Sequence, residues 1–190
     1  RILGGNTYMR TMKKRHFPGT RDQAVSLRET VNRQLARKAA AEGIVLLKNS
    51  GNLLPLKTGT KVALYGVGAS KTVKGGTGSG DVNERESVSI YQGMKDARYV
   101  ITTESWIENY NLIYQKARES WRDAILNKVK ETGDSRNFFD IYSASPFKMP
   151  EGAEVEKTDV DVAVYILSRI AGEGADRSCL EGDYLLTEKE

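Results

Sequence analysis

One glutamate in the chain, Glu173, stands in a setting suited to acid–base chemistry. It has a glycine on either side and follows the apolar run Val160–Leu167. A general acid/base needs a carboxyl group with a raised pKa beside a leaving-group oxygen, and a glycine-flanked loop can present one to a cleft. An exposed loop glutamate without a catalytic part is the alternative. We expect Asp176 and Arg177 to form a local ion pair that holds this loop.

A second segment, Lys74–Asn83, is too rich in glycine and small polar residues to belong to a core. We call it the glycine-rich loop. Glycine lets the main chain approach a ligand closely, and the polar side chains offer hydrogen-bonding groups suited to sugar hydroxyls. These side chains are Thr77, Ser79, Asp81 and Asn83. A flexible surface loop is the alternative interpretation.

An earlier glycine-containing loop, Gly66–Thr72, invites comparison with nucleotide-binding loops, because backbone amides after a strand can hold phosphate. The match fails in detail. A dinucleotide fingerprint requires glycine where Lys71 stands, and a Walker A loop requires glycine where Ser70 stands. The segment therefore favours a tight strand-to-loop turn over a nucleotide site.

Short apolar runs that alternate with longer helical patterns predict the elements that carry these loops. The predicted strands are Val62–Tyr65, Tyr99–Thr103 and Val160–Leu167. Helices are predicted near Arg21–Lys48, Val88–Ala97 and Trp106–Thr132, with an irregular excursion over Gly133–Asp159 and an N-cap candidate at Thr187. The fold class is α/β, a mainly parallel sheet flanked by helices. Both polar loops then leave the carboxyl edge of this sheet.

The composition of the chain argues against a membrane protein, a nucleic-acid-binding protein and a zinc protein. The 190 residues, 39% of them hydrophobic, suit one domain, and no apolar run approaches the ~20 residues that span a bilayer. Residues 1–38 carry ten Lys/Arg against two Asp/Glu, but no aromatic platform or binding motif accompanies them, so neither nucleic acid nor membrane is an expected partner. The single Cys179 excludes an internal disulfide, and with the single His16 it cannot form a zinc site.

Two stretches carry a family resemblance. Ala36–Asn49, followed by Leu54–Leu56, resembles the opening of the second domain of glycoside hydrolase family 3. Val62–Gly66 with Gly75–Asn83 is similar to the same domain, and order and spacing agree from about residue 35 to residue 190.

The resemblance implies that two domains each supply one of the catalytic residues. In the family, a (β/α)8 barrel carries an aspartate nucleophile, and the following α/β sandwich supplies an acid/base glutamate on a loop over the barrel mouth. Arg169–Arg177 is similar to that loop, which we call the glutamate loop, with Glu173 at the acid/base position. The expected substrate contacts are Lys74, Ser79, Asp81 and Arg169.

The resemblance also implies domain limits and a reaction. Residues 1–20 resemble the end of the barrel and the linker, and residues 21–190 an α/β sandwich that is incomplete at its C-terminal side. The implied activity is retaining hydrolysis of terminal β-linked glucose or a related sugar, without cofactor or metal and with the barrel of the same enzyme as partner domain. The alternatives are a non-catalytic carbohydrate-binding or scaffold module and a nucleotide- or small-molecule-binding α/β domain.

Overall fold

The computed structural model describes residues 24–76, 80, 82, 84–155, 157–172 and 176–190. Contacts divide the chain into two compact units, Arg1–Leu54 and Pro55–Glu190. The segment 1–20, which the sequence assigns to a preceding barrel and linker, lies outside the described residues.

Helix α1 (Leu27–Gly43) forms most of the described part of the first unit. A capping box begins it. Ser26 Oγ accepts a hydrogen bond from the Glu29 amide at 3.2 Å, and the Glu29 carboxylate accepts one from the Ser26 amide at 2.8 Å. These bonds satisfy amide groups that the first turn of a helix leaves unpaired. They fix where the helix starts.

The C-terminal end of α1 differs from the sequence prediction. The sequence predicts a helix as far as Lys48, but the helix ends at Gly43, and a 3₁₀ turn follows at Ser50–Asn52. Glycine has a low helix propensity, and the adjacent β-branched Ile44 and Val45 lose side-chain freedom in a helix. Local composition therefore ends the helix early.

The second unit contains a parallel sheet. Its strands are β1 (Lys61–Tyr65), β2 (Val100–Ile101) and β3 (Val162–Tyr165), in the order β2-β1-β3. Strand β1 pairs in parallel with both neighbours, and Val62 lies opposite Val162. The predicted set of neighbouring parallel strands is confirmed. Because parallel strands share a carboxyl edge, the segments after β1 and β3 leave the sheet on the same side.

Strand β1 is the centre of the hydrophobic core. Val62 and Leu64 are fully buried, and Ala63 and Tyr65 almost so, although they point to the opposite face. A strand covered on both faces is typical of a parallel sheet between helices. Burial of each aliphatic side chain contributes roughly 1.5–3 kcal/mol. The core cluster around β1 also contains Ala69, Ile101 and Ile107.

Two helices pack against this sheet. Helix α2 (Ile90–Asp96) is short and begins at Ser89, whose Oγ accepts a hydrogen bond from the Gln92 amide at 3.1 Å. Helix α3 (Glu104–Thr132) has 29 residues and meets β1 through an edge-on contact between the Tyr65 and Trp106 rings, 5.6 Å apart.

In the part of the chain that the structure describes, no helix combines the length and apolarity needed to cross a membrane.

The segment between α3 and β3 is more ordered than the sequence predicts. Instead of a wholly irregular excursion, it contains a 3₁₀ turn, Ser135–Asn137, and helix α4 (Phe138–Ser143). Six residues are too few for a periodic pattern to reveal a helix. Packing supports it instead, since the Tyr142 ring meets the Trp121 ring of α3 at 5.6 Å.

Aromatic side chains of α3 also hold the chain that returns to β3. Each combines an apolar ring with one polar group that donates to a backbone carbonyl of this segment. Burial raises the pKa of the Tyr110 hydroxyl, so it remains a donor at physiological pH. The three hydrogen bonds run from Trp106 to Ala153, from Tyr110 to Pro150 and from Trp121 to Ser145, at 3.1, 3.2 and 2.6 Å.

Thr103 offers a test of this core. Its buried hydroxyl donates to Leu64 O at 2.7 Å and accepts from Leu64 N at 2.9 Å, which extends the ladder beyond β2. The near-isosteric Thr103→Val leaves two buried backbone groups unpaired. Since each costs ~1–3 kcal/mol, we expect the free energy of unfolding of this chain, measured in urea, to fall by about 2–4 kcal/mol.

The neighbouring Thr102→Val serves as the control. Thr102 is exposed, and its hydroxyl donates to Val62 O at 3.3 Å. That carbonyl also accepts from the Thr102 amide at 3.0 Å, so Thr102→Val leaves no backbone group unpaired and should cost about 1 kcal/mol or less. Equal losses for the two variants would contradict the part assigned to Thr103.

Candidate active site

The predicted site residues fall into two groups. Glu173, Ser79 and Asp81 lie outside the described residues, so their positions stay predictions. Lys74 and Arg169 are described. The geometry of the candidate site therefore rests on the described ends of the glycine-rich loop and the glutamate loop.

The turn after β1 packs backbone against backbone on the continuation of β3. The Ile166 amide donates to Tyr65 O at 2.9 Å. Gly66 has φ +94°, and a Cβ atom on it would lie 2.3 Å from Ile166 O. A Cβ atom on Gly68 would lie 2.8 Å from the Ile166 side chain and 3.0 Å from Ser168 Cβ. Only glycine combines this backbone conformation with this closeness, so the geometry is that of a tight strand-to-loop turn.

The two polar loops touch each other. A Cβ atom on Gly76 would lie 2.3 Å from Ala171 O and 3.4 Å from Gly172 Cα. The prediction that both loops emerge on one edge of the sheet is therefore confirmed for their described parts. Glu173 is the next residue of the chain after this contact.

A cleft of about 410 Å³ opens beside the glycine-rich loop. This volume lies in the range of small-molecule sites, roughly 300–1,000 Å³. Ile170 of the glutamate loop is among its lining residues, so the cleft is bounded by both loops. The rest of the described lining includes residues 70–75 and 87–89, with Tyr114 and Met149.

Two lysines lie in this cleft in different electrostatic settings. Lys74 forms an ion pair with Glu84, yet 43% of its side chain remains exposed, which leaves donors accessible to a ligand. The Lys71 ammonium lies 5.1 Å from the centroid of the Tyr114 ring, a cation–π contact. Positive charge is thus present on the wall of the cleft.

Arg169 is one of the most heavily bonded side chains near the site. Its side chain is largely buried, and its ion pair with Glu190 has N–O distances of 2.6 and 2.7 Å. The remaining donors bind the carbonyls of Ser168, Asp183 and Leu185 at 2.9, 2.5 and 3.3 Å. All five N–H groups are engaged. A sugar contact from Arg169, which stays a prediction, would have to exchange with one of these bonds.

The predicted ion pair between Asp176 and Arg177 is wrong. Arg177 instead pairs with Asp183, with its Nε 2.8 Å from the Asp183 Oδ1, and it also donates to the Asp183 carbonyl. The other carboxylate oxygen accepts from the amide and hydroxyl of Ser178. A partner six residues away allows the arginine to reach both the carboxylate and the carbonyl of one residue, which the adjacent aspartate does not offer.

Sequence reasoning missed Asp183. The only local signal is the preceding Gly182, whose φ of +76° marks a turn. Leu185 N donates to Leu180 O at 3.0 Å and closes that turn. The turn brings Asp183 back to both arginines of the glutamate loop, a tertiary contact that residue spacing does not reveal.

The pKa shifts of Asp183 and Glu190 agree with their bonds to Arg177 and Arg169, which we call the arginine ties. Hydrogen bonds from the Ser178 amide, the Arg177 guanidinium and the Ser178 hydroxyl lower the pKa of Asp183 to about 2. The Arg169 guanidinium lowers the pKa of Glu190. Both carboxylates are therefore ionised at neutral pH.

Over the described stretches of the chain, no three His, Cys, Asp or Glu side chains are grouped so that they could hold a metal ion.

Gly76 tests the contact between the loops. In Gly76→Ala the new methyl group meets Ala171 O, a backbone atom, so the loops must separate. In Gly80→Ala the nearest atom would be 3.9 Å away, an ordinary contact. We expect Gly76→Ala to lower the free energy of unfolding by about 1–3 kcal/mol and Gly80→Ala to change it little. Equal unfolding curves in urea would contradict the contact.

The lowered pKa of Asp183 predicts a direction for the pH dependence. A carboxylate that binds protons less readily when folded stabilises the fold fully above its unfolded pKa, and loses this contribution as the pH falls through its folded pKa. The ties should persist down to about pH 4 and be lost towards pH 2. Carboxyl-carbon NMR should give Asp183 a midpoint near 2; an ordinary midpoint near 4 would contradict the geometry.

Comparison with known proteins identifies the domain. Residues 44–188 match the family model described as glycosyl hydrolase family 3 C-terminal domain. Beta-glucosidase A of Butyrivibrio fibrisolvens is 33% identical over 150 residues, 76% of this chain and 16% of that protein. Thermostable beta-glucosidase B of Acetivibrio thermocellus is 31% identical over 117 residues, 60% of this chain and 14% of that protein.

A solved structure agrees. Beta-glucosidase 3B from Thermotoga neapolitana, in complex with alpha-D-glucose, superposes with a TM-score of 0.57 at 32% identity, covering 84% of this chain and 21% of that chain. The chain thus spans about one-sixth of the length of the curated relatives and about one-fifth of that structure. On these matches, the chain belongs to glycosyl hydrolase family 3, whose C-terminal domain it carries.

Proposed function

We propose that this domain supplies the general acid/base of a retaining glycoside hydrolase that acts on terminal β-linked glucose or a related sugar, and that Glu173 is the acid/base. The observation that carries the proposal is the contact between Gly76 and Ala171–Gly172. It brings a glycine-rich, polar loop against the residues that directly precede Glu173, beside a cleft of about 410 Å³.

The chemistry requires a second carboxylate. In a retaining mechanism one carboxylate attacks the anomeric carbon while a carboxylic acid protonates the departing oxygen and later removes a proton from water. The two carboxyl groups lie roughly 5–5.5 Å apart. We propose that a barrel domain of the same enzyme contributes the nucleophile, and that residues 1–20 form the end of that barrel and the linker. The names of the relatives, all beta-glucosidases, support the sugar class.

Sugar contacts from Lys74, Ser79, Asp81 and Arg169 belong to the same proposal. The exposed part of the Lys74 side chain faces the cleft and supports its inclusion. Each would orient the substrate through hydroxyl hydrogen bonds, whereas proton transfer falls to Glu173 alone.

Replacement of Glu173 in the barrel-containing enzyme tests the proposal. Because kcat/KM reports glycosylation, Glu173→Ala should lower it by roughly 100- to 10,000-fold for alkyl β-glucosides, whose leaving groups need a proton. For 2,4-dinitrophenyl β-glucoside the loss should be much smaller, since that leaving group departs unprotonated. Azide attacks the covalent intermediate without needing a base. Added azide should therefore accelerate turnover of 2,4-dinitrophenyl β-glucoside by Glu173→Ala and give a glycosyl azide of retained configuration.

Glu181→Ala is the matched control. Glu181 is exposed, and its side chain has no hydrogen bond or ion pair among the described residues. It should behave as the unaltered enzyme. Equal loss on both substrates for Glu173→Ala, or the absence of an azide product, would refute the assignment.

A further inference from the structure

The two ends of the glutamate loop are tied to one residue outside it. Arg169 and Arg177 each stand four positions from Glu173, on opposite sides. Arg169 Nε donates to the Asp183 carbonyl at 2.5 Å, and Arg177 donates to the same carbonyl. Both ends of a nine-residue loop therefore converge on a single backbone oxygen.

The side chain of Asp183 strengthens the tie at the C-terminal end. Its carboxylate accepts hydrogen bonds from Arg177 Nε at 2.8 Å and from Ser178 Oγ at 2.8 Å, and from the Ser178 amide. Charge-assisted bonds of this kind are roughly twice as strong as neutral ones. Asp183 itself is held, because its amide donates to Leu180 O at 3.2 Å within the turn.

The N-terminal end has a second anchor. The Glu190 carboxylate binds Arg169 through both oxygens and accepts from the Thr187 amide at 2.9 Å, while the Glu190 amide donates to Thr187 Oγ1 at 3.3 Å. This reciprocal pair has the geometry of a capping box. Residues 187–190 form no helix in the structure, so the N-cap role of Thr187 stays a prediction. Arg169 thus remains fixed when the side chain of Asp183 is altered, which isolates the C-terminal tie for experiment.

We propose that Asp183 is a positioning residue that fixes the glutamate loop and, through it, the place of the acid/base carboxyl. The inference rests on the proposed function of Glu173. Glu173 has a glycine on either side in the sequence, so its neighbours supply no side chains to hold it, and we infer that the two ends of the loop fix its position. A displacement of about 1 Å can cost on the order of 100-fold in rate.

The test uses the barrel-containing enzyme with Asp183→Ala, Asp183→Asn and the control Glu181→Gln. For alkyl β-glucosides we expect kcat/KM to fall roughly 10- to 100-fold in Asp183→Ala, and less in Asp183→Asn, which keeps one acceptor. For 2,4-dinitrophenyl β-glucoside the fall should stay below about threefold, because protonation contributes little there. Hydrogen exchange of residues 176–178 should become faster in both Asp183 variants.

Leaving-group dependence separates positioning from mere structural support. Equal loss on both substrates, or no loss on either, would overturn the proposal. Should Asp183→Ala fail to fold, Asp183→Asn and Arg177→Gln, which cuts the same tie from the other side, must show the same selectivity. If Glu173→Ala behaves as proposed and these variants do not, only the role of Asp183 fails. If Glu173→Ala lacks selectivity, the proposed function fails and this inference with it.

Discussion

Parallel pairing of β1 with both of its neighbours is the constraint on which the rest of the second unit depends. The strand is buried on both faces, so a slip of its register would move large apolar side chains against the wrong partners. Fixed register places the turn after β1 directly against Ile166, where glycine alone fits. This backbone contact fixes the position of the carboxyl edge of the sheet. The two polar loops leave that edge next to each other.

Hydrogen bonds and ion pairs position the part of the chain that follows β3 and lies outside the sheet. Among the described residues after Ile166, no further strand pairing with β1 is present, and Arg169 and Arg177 hold this part of the chain through their bonds to Asp183 and Glu190. The Arg177–Asp183 pair is partly exposed, which limits the desolvation cost of its charges, whereas the largely buried Arg169–Glu190 pair offsets that cost with two direct hydrogen bonds. Precision at the candidate site therefore comes from two sources, apolar burial at β1 and charge-assisted bonding between residues 169 and 190.

Much of this architecture could be predicted from the sequence because its signals are local. The apolar run at β1 and the glycines after it predict a buried strand and a tight turn, and both are present. Helix α4 and the early end of α1 were not predicted, since short elements depend on packing and on single residues. The partner of Arg177 was assigned to its neighbour, whereas the fold supplies Asp183 through a turn that residue spacing does not encode.

In the proposed function, this domain brings its acid/base carboxyl to a sugar bound by a second domain. A crystal structure of the barrel-containing enzyme, with a covalent 2-deoxy-2-fluoroglucosyl intermediate trapped on its nucleophile, tests it most directly. We expect the Glu173 carboxyl to lie roughly 5–5.5 Å from the nucleophilic carboxylate, with Asp183 bonded to both arginines. A structure with Glu173 pointing to solvent and another carboxyl beside the anomeric carbon would contradict it.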